Sequence, residues 1–169
     1  QLETKYGKEW IYDKIKHIGI GKKTGIEYPY ETKGMIPHPT KKYRNGKSEW
    51  SNQTTSSLSM GYNISTSTVQ LLKAFSILVN NGRYIRPSLI SQSDQSEQLF
   101  SVESCLRIKE ALSYVCTQYG TGSVAFNNQF TISAKSGTTH LIENGQYTDK
   151  KHLSSFVGFF PSNDPKYIC

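Results

Sequence analysis

The run from Phe130 to Thr139 constrains this chain most. Phe130, Ile132 and Ala134 alternate with Thr131 and Ser133, the two-residue period of a β-strand with one buried face. The polar tetrad Lys135-Ser136-Gly137-Thr138 then follows without a break, with Thr139 after it. A strand sends successive side chains to opposite faces. Lys135 and Gly137 are therefore predicted on one face, and Ser136 and Thr138 on the other. Gly137 leaves room for something to approach the backbone. Hydroxyls beside an ammonium suit a carboxylate ligand, because hydrogen bonds assisted by charge are the strong ones. A backbone N–H at the same place can face a developing oxyanion. Taken alone, these four residues read more readily as an ordinary amphipathic strand with a polar end.

The rest of the chain supplies a context for that strand. Leu2 to Ile18 has helical spacing, with Tyr6, Trp10, Ile11, Ile15 and Ile18 near one stripe. Tyr28 to Trp50 is broken by Pro29, Pro37 and Pro39 and reads as a loop made basic by Lys41, Lys42, Arg44 and Lys47. A second helix is predicted after a cap at Ser65 or Ser67, with Leu71, Leu72, Phe75, Leu78 and Val79 on one face and Gly82 as its stop. Ser91 to Gln98 reads as a loop. Ser101 caps a third helix, whose apolar side comprises Val102, Cys105, Leu106, Ile108, Leu112, Val115, Cys116 and Tyr119, ending at the turn Gly120-Thr121-Gly122. Beyond the Lys135 strand, Asn144-Gly145 signals a hairpin. Ser154 to Phe160 is a second strand and Lys166 to Cys169 begins a third. Because the chain stops inside a strand pattern, it is expected to be part of a larger protein.

Several chemistries find little support. Gly19-Ile20-Gly21 follows a helix and its third glycine, Gly25, comes one place late, so it is a poor dinucleotide loop; Gly21 to Gly25 is no Walker loop. The histidines lack metal-ligand spacing, and His38, between two prolines, reads as an exposed turn. Three cysteines among 169 residues, without Cys-x-x-Cys spacing, read as small buried apolar groups. A net charge of +7 fits either a solvated basic surface or an acidic partner, and no aromatic-basic signature of nucleic-acid binding accompanies it. No apolar run is long enough to span a bilayer.

Gly19 to Glu27 with Pro29 and Glu31 resembles the Gly-x-Gly…Thr-Gly-Ile-Asp-x-Pro-Gly-Glu segment of class B high-molecular-weight penicillin-binding proteins. Trp50 to Ile64 and Gln70 to Pro87 resemble that family's Ser-x-Gly-x-Gly-Ile, Gln-Leu, Asn-Gly-Gly and Arg-Pro series. Gly120-Thr121-Gly122, Lys135-Ser136-Gly137-Thr138 and Ser154 to Pro161 are similar to its Gly-Thr-Gly turn, its Lys-Thr/Ser-Gly-Thr motif and its Ala-Ser-Phe-x-Gly-Phe-x-Pro strand. The segments run in collinear order over nearly the whole chain. The resemblance implies an α+β fold, an antiparallel sheet flanked by helices around Leu72 and Leu112, with residues 1–169 as the C-terminal portion of one transpeptidase domain. It implies a division-type serine D,D-transpeptidase that cross-links peptidoglycan stem peptides through an acyl-enzyme and is acylated by β-lactams. The alternative it leaves is a non-catalytic or sensor-type penicillin-recognising domain.

That chemistry needs a Ser-x-x-Lys pair and a Ser-x-Asn motif as well. No serine here has lysine three places on or asparagine two places on. Thr148-Asp149-Lys150-Lys151 has the first spacing, but with threonine and in an expected loop. In the family both motifs precede the Gly-x-Gly segment, so the nucleophile is expected before residue 1, and this chain alone is expected to be inactive. By the resemblance, Lys135 and Thr138 are catalytic: Lys135 adds positive charge and links to the Ser-x-Asn serine, and the Thr138 N–H forms half of an oxyanion hole. Ser136, Gly137, Thr138 and Thr139 bind the substrate or β-lactam. No cofactor and no metal is implied. The implied partners are the stem peptide, β-lactams, the rest of the polypeptide and membrane proteins of the division machinery, with no nucleic acid. The implied location is the bacterial inner membrane, with this domain on the periplasmic side and the anchor outside the chain. The chain departs from the family pattern at Tyr30, where glycine is usual, at Asn63, which replaces a glycine, and at Thr68, which replaces a proline. Asn63 is expected to keep its turn, because asparagine tolerates positive φ.

Overall fold

The computed structural model describes residues 2–90, 96–143 and 146–169, without the side chains of 142, 143 and 146–150. The helices are α1 (Leu2–His17), α2 (Thr54–Ser59), α3 (Thr68–Val79) and α4 (Val102–Ser113), and the strands are β1 (Arg83–Ile85), β2 (Ser96–Gln98), β3 (Ser133–Glu143), β4 (Gln146–Phe160) and β5 (Tyr167–Ile168). Short 3₁₀ turns occupy Tyr114–Cys116 and Ser123–Ala125. The chain divides into two compact units, residues 1–74 with 85–99 and residues 75–84 with 100–169. This is the expected α+β composition.

In the second unit β3, β4 and β5 form an antiparallel sheet in that order, with β3 as an outer strand. The core is Ile77, Cys105, Cys116, Ala134 and Phe159, all buried. Ser101 caps α4 by accepting a hydrogen bond from the Ser104 N–H at 3.2 Å. The helix and the 3₁₀ turn after it pack on β3. The buried stripe of α4 is narrower than its sequence suggests. Cys105 and Lys109 are buried, while Val102, Leu106 and Ile108 are about half exposed. Lys109 is tolerated inside because its ammonium donates to Asn81 Oδ1 at 2.7 Å, and a buried charge needs such a partner.

Strand β3 starts three residues later than the alternation predicts and extends further. Thr131 instead accepts a hydrogen bond from the Ser162 N–H. Ser133, expected on the polar face, is fully buried. Its hydroxyl bonds the Lys109 carbonyl at 3.3 Å and the Ser162 hydroxyl at 2.9 Å, which removes the penalty of burying it. Thr148 to Lys151 lies within β4 rather than in a loop. The Asn144-Gly145 turn lies outside the described residues, but Glu143 pairs with Gln146 on either side of it. Cys105 and Cys116 are buried and free, as expected; Cys169 is exposed.

The first unit is tied together by Gln70. Ser67 is the cap of α3: its hydroxyl accepts from the Gln70 N–H at 3.2 Å, and Gln70 Oε1 accepts from the Ser67 N–H at 2.8 Å. This reciprocal pair is a capping box. Gln70 Nε2 also donates to the carbonyls of Lys22 and Lys33, at 2.7 and 2.9 Å, so one buried amide joins a helix to two loop segments. Gly34 sits against the same knot at φ +66°, where a Cβ would stand 2.1 Å from the Ser65 carbonyl oxygen. Of the α3 residues only Gln70 and Ile77 are fully buried; the predicted Leu71 to Val79 face is half-buried. In α1 no residue is fully buried, Tyr6 and Trp10 stack at 4.7 Å on its surface, and Gly7 breaks the helical dihedrals. Thr54 to Ser59 is helical. His38 is half-buried and lies 4.8 Å from the Tyr12 ring rather than on an open turn.

The glycine-rich loop after α1 is closed on itself. The Glu31 carboxylate accepts from the N–H groups of Thr24 (2.6 Å) and Gly25 (3.1 Å). Desolvation pushes the Glu31 pKa up, but the Thr24 hydroxyl and these two N–H groups outweigh it and hold the carboxyl below its ordinary value. Those N–H groups are thus already occupied by a protein anion. Arg86 bonds the Gly25 carbonyl from the other side. Tyr30 has φ +66° and is 96% exposed, and Asn63 has φ +57°. The glycine usual in the family at Tyr30 would suit this left-handed backbone, and Asn63 keeps its turn as expected.

Two outcomes follow for stability. Replacing Gln70 with methionine keeps its volume but leaves buried backbone groups unpaired, so urea unfolding should show a loss of at least about 2 kcal/mol; a change within about 0.5 kcal/mol would remove Gln70 from this role. Tyr30→Gly should be more stable than Tyr30→Ala by roughly 0.5–1 kcal/mol, since only glycine adopts positive φ without a Cβ clash. Equal melting of the two variants would sink that explanation.

Candidate active site

The motif strand lies open. Lys135 and Thr138 are exposed, and Ser136, Gly137 and Thr139 are half-buried. Its register against β4 pairs Lys135 with Val157, Ser136 with Phe156, Gly137 with Ser155, Thr138 with Ser154 and Thr139 with Leu153. Residues directly opposite in an antiparallel ladder share a face. Ser136 and Thr138 therefore share one face with Phe156 and Ser154, and Lys135, Gly137 and Thr139 share the other, as the alternation predicts.

The Gly120-Thr121-Gly122 turn lies against the Ser136 face. Thr121 Oγ1 is 3.1 Å from Ser136 Oγ, within hydrogen-bond distance. A Cβ on Gly122 would come within 3.3 Å of the Phe156 ring. The turn is held there by its own backbone: Gly122 N–H donates to the Val115 carbonyl at 2.8 Å and Gly120 N–H to Thr117 at 3.1 Å. A Cβ at Gly120 would stand 2.1 Å from the Val115 carbonyl oxygen, so this position needs glycine. The sequence marked the turn, but not that its threonine hydroxyl meets the motif serine fifteen residues on.

On the opposite face, a Cβ at Gly137 would meet Ser155 Oγ at 2.8 Å. The missing side chain thus makes room for a cross-strand hydroxyl as well as leaving the backbone accessible. The Lys135 ammonium bonds the carbonyl oxygen of Ser136, which lays its charge along the strand. An outer strand with two hydroxyls on one face and a cation held at its backbone can bind a carboxylate and pair with an extended chain.

Burial pushes the Cys105 and Cys116 thiols up, the reverse of what activates a cysteine nucleophile. Among the described residues no group of three or more His, Cys, Asp and Glu converges on one point. A cleft of about 260 Å³ in the first unit is lined by residues including Met35, Tyr43, Glu49 and Thr54; it contains no residue of the Lys135 motif.

Known proteins match this arrangement along its whole length. A model of the penicillin-binding protein transpeptidase domain matches residues 1–169. The chain is 29% identical over 170 residues to the probable peptidoglycan D,D-transpeptidase PenA of Neisseria gonorrhoeae, covering 99% of this chain and 28% of that protein. It is 31% identical over 182 residues to stage V sporulation protein D of Bacillus subtilis, covering 99% of this chain and 27% of that protein. Among solved structures it superposes on penicillin-binding protein 3 of Mycobacterium tuberculosis with a TM-score of 0.85 at 23% identity, over 99% of this chain and 40% of that one. The transpeptidase domain of Burkholderia pseudomallei penicillin-binding protein 3 superposes with a TM-score of 0.80 at 23% identity, over 94% of this chain and 46% of that one. The chain thus spans little more than a quarter of these two curated relatives, and its α+β architecture is that of part of the solved transpeptidase domains. A family match over every residue, joined to this fold, means that the chain belongs to the penicillin-binding protein transpeptidase domain family.

Proposed function

We propose that this chain forms the C-terminal, substrate-facing part of a serine D,D-transpeptidase that cross-links peptidoglycan stem peptides and is acylated by β-lactams. The observation that carries the reading is the exposed face of β3, where the Ser136 and Thr138 side chains share one side and Thr121 orients the Ser136 hydroxyl. A substrate or β-lactam carboxylate sits against these two hydroxyls, drawn by the Lys135 charge. The Thr138 N–H supplies one oxyanion donor, and the N–H of the nucleophilic serine supplies the other. Gly137 admits the substrate backbone and Thr139 lines the site. Loss of one oxyanion donor costs on the order of 100- to 1,000-fold in rate.

The serine nucleophile with its lysine base, and the Ser-x-Asn motif, come from polypeptide preceding residue 1 in this reading, because the chain contains neither spacing. Lysine three residues after serine on a helix faces it and can take its proton. The acyl-enzyme forms as the serine oxygen bonds the donor carbonyl carbon and the leaving amine takes the proton; an acceptor amine then displaces the serine. The 169 residues alone do not turn over. The names of the relatives support the substrate: PenA is called a probable peptidoglycan D,D-transpeptidase, and the Mycobacterium tuberculosis protein was solved in complex with aztreonam. A division role, contacts with membrane proteins of the division machinery and a periplasmic position tethered to the inner membrane complete the proposal.

Fluorescent penicillin labelling of the intact protein and of this chain, followed by mass mapping, tests it. The intact protein should label on a serine before residue 1 while this chain stays dark. Labelling within the chain would show a misplaced nucleophile, and an unlabelled intact protein would favour a non-catalytic domain. In the intact protein, Ser136→Ala should acylate about 10- to 100-fold more slowly, the scale of one lost hydrogen bond to a charged group, and Ser136→Thr should restore most of the rate. An unchanged Ser136→Ala rate would remove the hydroxyl from the carboxylate site.

A further inference from the structure

The ladder decides which backbone groups of the motif strand face outward. Gly158 donates its N–H to the Cys169 carbonyl at 3.0 Å and accepts from the Cys169 N–H at 2.8 Å. Both polar groups of Gly158 therefore point to the β5 side, away from β3. In an antiparallel pair, residues that exchange both backbone bonds alternate with residues that exchange none. Ala134–Gly158 is of the second kind. The register runs unbroken from there to His140, which stands opposite His152 with ring centroids 4.6 Å apart. Lys135–Val157 and Gly137–Ser155 are thus bonded pairs. The N–H and C=O of Ser136 and Thr138 face the outer edge of β3, and those of Gly137 face β4.

The Gly137 C=O and the Thr138 N–H belong to one planar peptide unit and point in opposite directions. Whatever holds the carbonyl also aims the N–H. Ser155 Oγ donates to the Gly137 oxygen at 3.5 Å. A carbonyl has two lone pairs, so it can take this hydroxyl beside a ladder N–H. The missing side chain of Gly137 leaves the hydroxyl its place, 2.8 Å from where a Cβ would stand. Glycine is also the residue whose backbone turns most easily, so the aim of this peptide gains most from a second tether. The bond is long for a hydroxyl donor, which leaves it room to tighten.

We propose that Ser155 is a positioning residue for the oxyanion donor. Its hydroxyl anchors the Gly137 carbonyl, fixes the plane of the Gly137–Thr138 peptide and polarises the Thr138 N–H. As that N–H takes up the charge of an oxyanion, the carbonyl becomes a better acceptor and the Ser155 bond tightens. Ser155 lies on the face opposite Ser136 and Thr138, so it acts on the reaction and not on carboxylate binding. No proton passes through it. The proposal rests on the reading of the Thr138 N–H as an oxyanion donor, and adds to it a side chain that acts through the backbone.

Acylation of the intact protein by fluorescent penicillin, followed over a range of concentrations, separates the initial binding constant from the acylation rate constant. Ser155→Val and Ser155→Thr have nearly the same shape and differ by the hydroxyl. Ser155→Val should acylate roughly 3- to 10-fold more slowly, the scale of one neutral hydrogen bond, with initial binding unchanged. Ser155→Thr should keep the wild-type rate constant. Ser155 is exposed, so neither variant empties a core, and Ser155→Ala repeats the comparison if the valine variant misfolds. Equal rate constants for the hydroxyl and hydroxyl-free variants, or a loss confined to initial binding, would overturn the proposal and leave the transpeptidase reading in place. A wild type that is not acylated would overturn both.

Discussion

The pairing register of β3 on β4 is the constraint on which the candidate site depends. Side chains alternate along a strand with a period of two, so a slip of one residue would exchange the faces of the whole motif. In the observed register Ser136 and Thr138 share a face, Gly137 accommodates Ser155, and His140 meets His152. The register is anchored where the strands are buried. Ala134 faces Gly158, a residue small enough for the sheet to be covered there, and Ser133 faces Phe159, the largest fully buried side chain among the described residues. Any slip would withdraw Phe159 from the core and leave the Ser133 hydroxyl without the Lys109 carbonyl. Core burial at one end of the hairpin thus sets the positions of polar groups several residues away.

The buried interior of the second unit is not purely apolar, and its polar members are connected. Lys109 reaches Asn81 through its ammonium and Ser133 through its carbonyl, and Ser133 reaches Ser162. Each of these groups would be costly to bury alone and is acceptable as part of a satisfied set. The set joins the turn after α3, the middle of α4, the start of β3 and the turn after β4. It positions the helix whose C-terminal turns present Thr121 to Ser136. In the first unit Glu31 and Gln70 play a comparable part. They satisfy loop N–H and carbonyl groups with side chains, which lets a segment rich in glycine and proline hold one shape without regular structure.

Much of this was legible in the sequence. The strand period around Lys135, the caps at Ser67 and Ser101, the stop at Gly82 and the turn at Gly120 to Gly122 are local signals, produced by interactions between residues a few places apart. The two faces of the motif followed from the same alternation. Legibility failed where the outcome depends on what an element meets. The α1 stripe ended up only partly covered, the α4 stripe narrowed to Cys105 and Lys109, and Ser133 moved inside because hydrogen-bond partners awaited it. Hydrophobic spacing indicates which side an element would prefer to bury, not how much of it another element will cover.

The sequence by itself determined the α+β class, the family membership signalled by collinear motifs, and the run of lysine and hydroxyl residues on the motif strand. These depend on residue identity and on contacts of short range. Tertiary structure alone decided that Thr121 bonds Ser136, that Gly137 makes way for Ser155, and that two histidines twelve residues apart stand ring to ring. Each of these is a contact across a ladder or between a turn and a strand. Its existence depends on a register set by burial elsewhere, which no local pattern encodes.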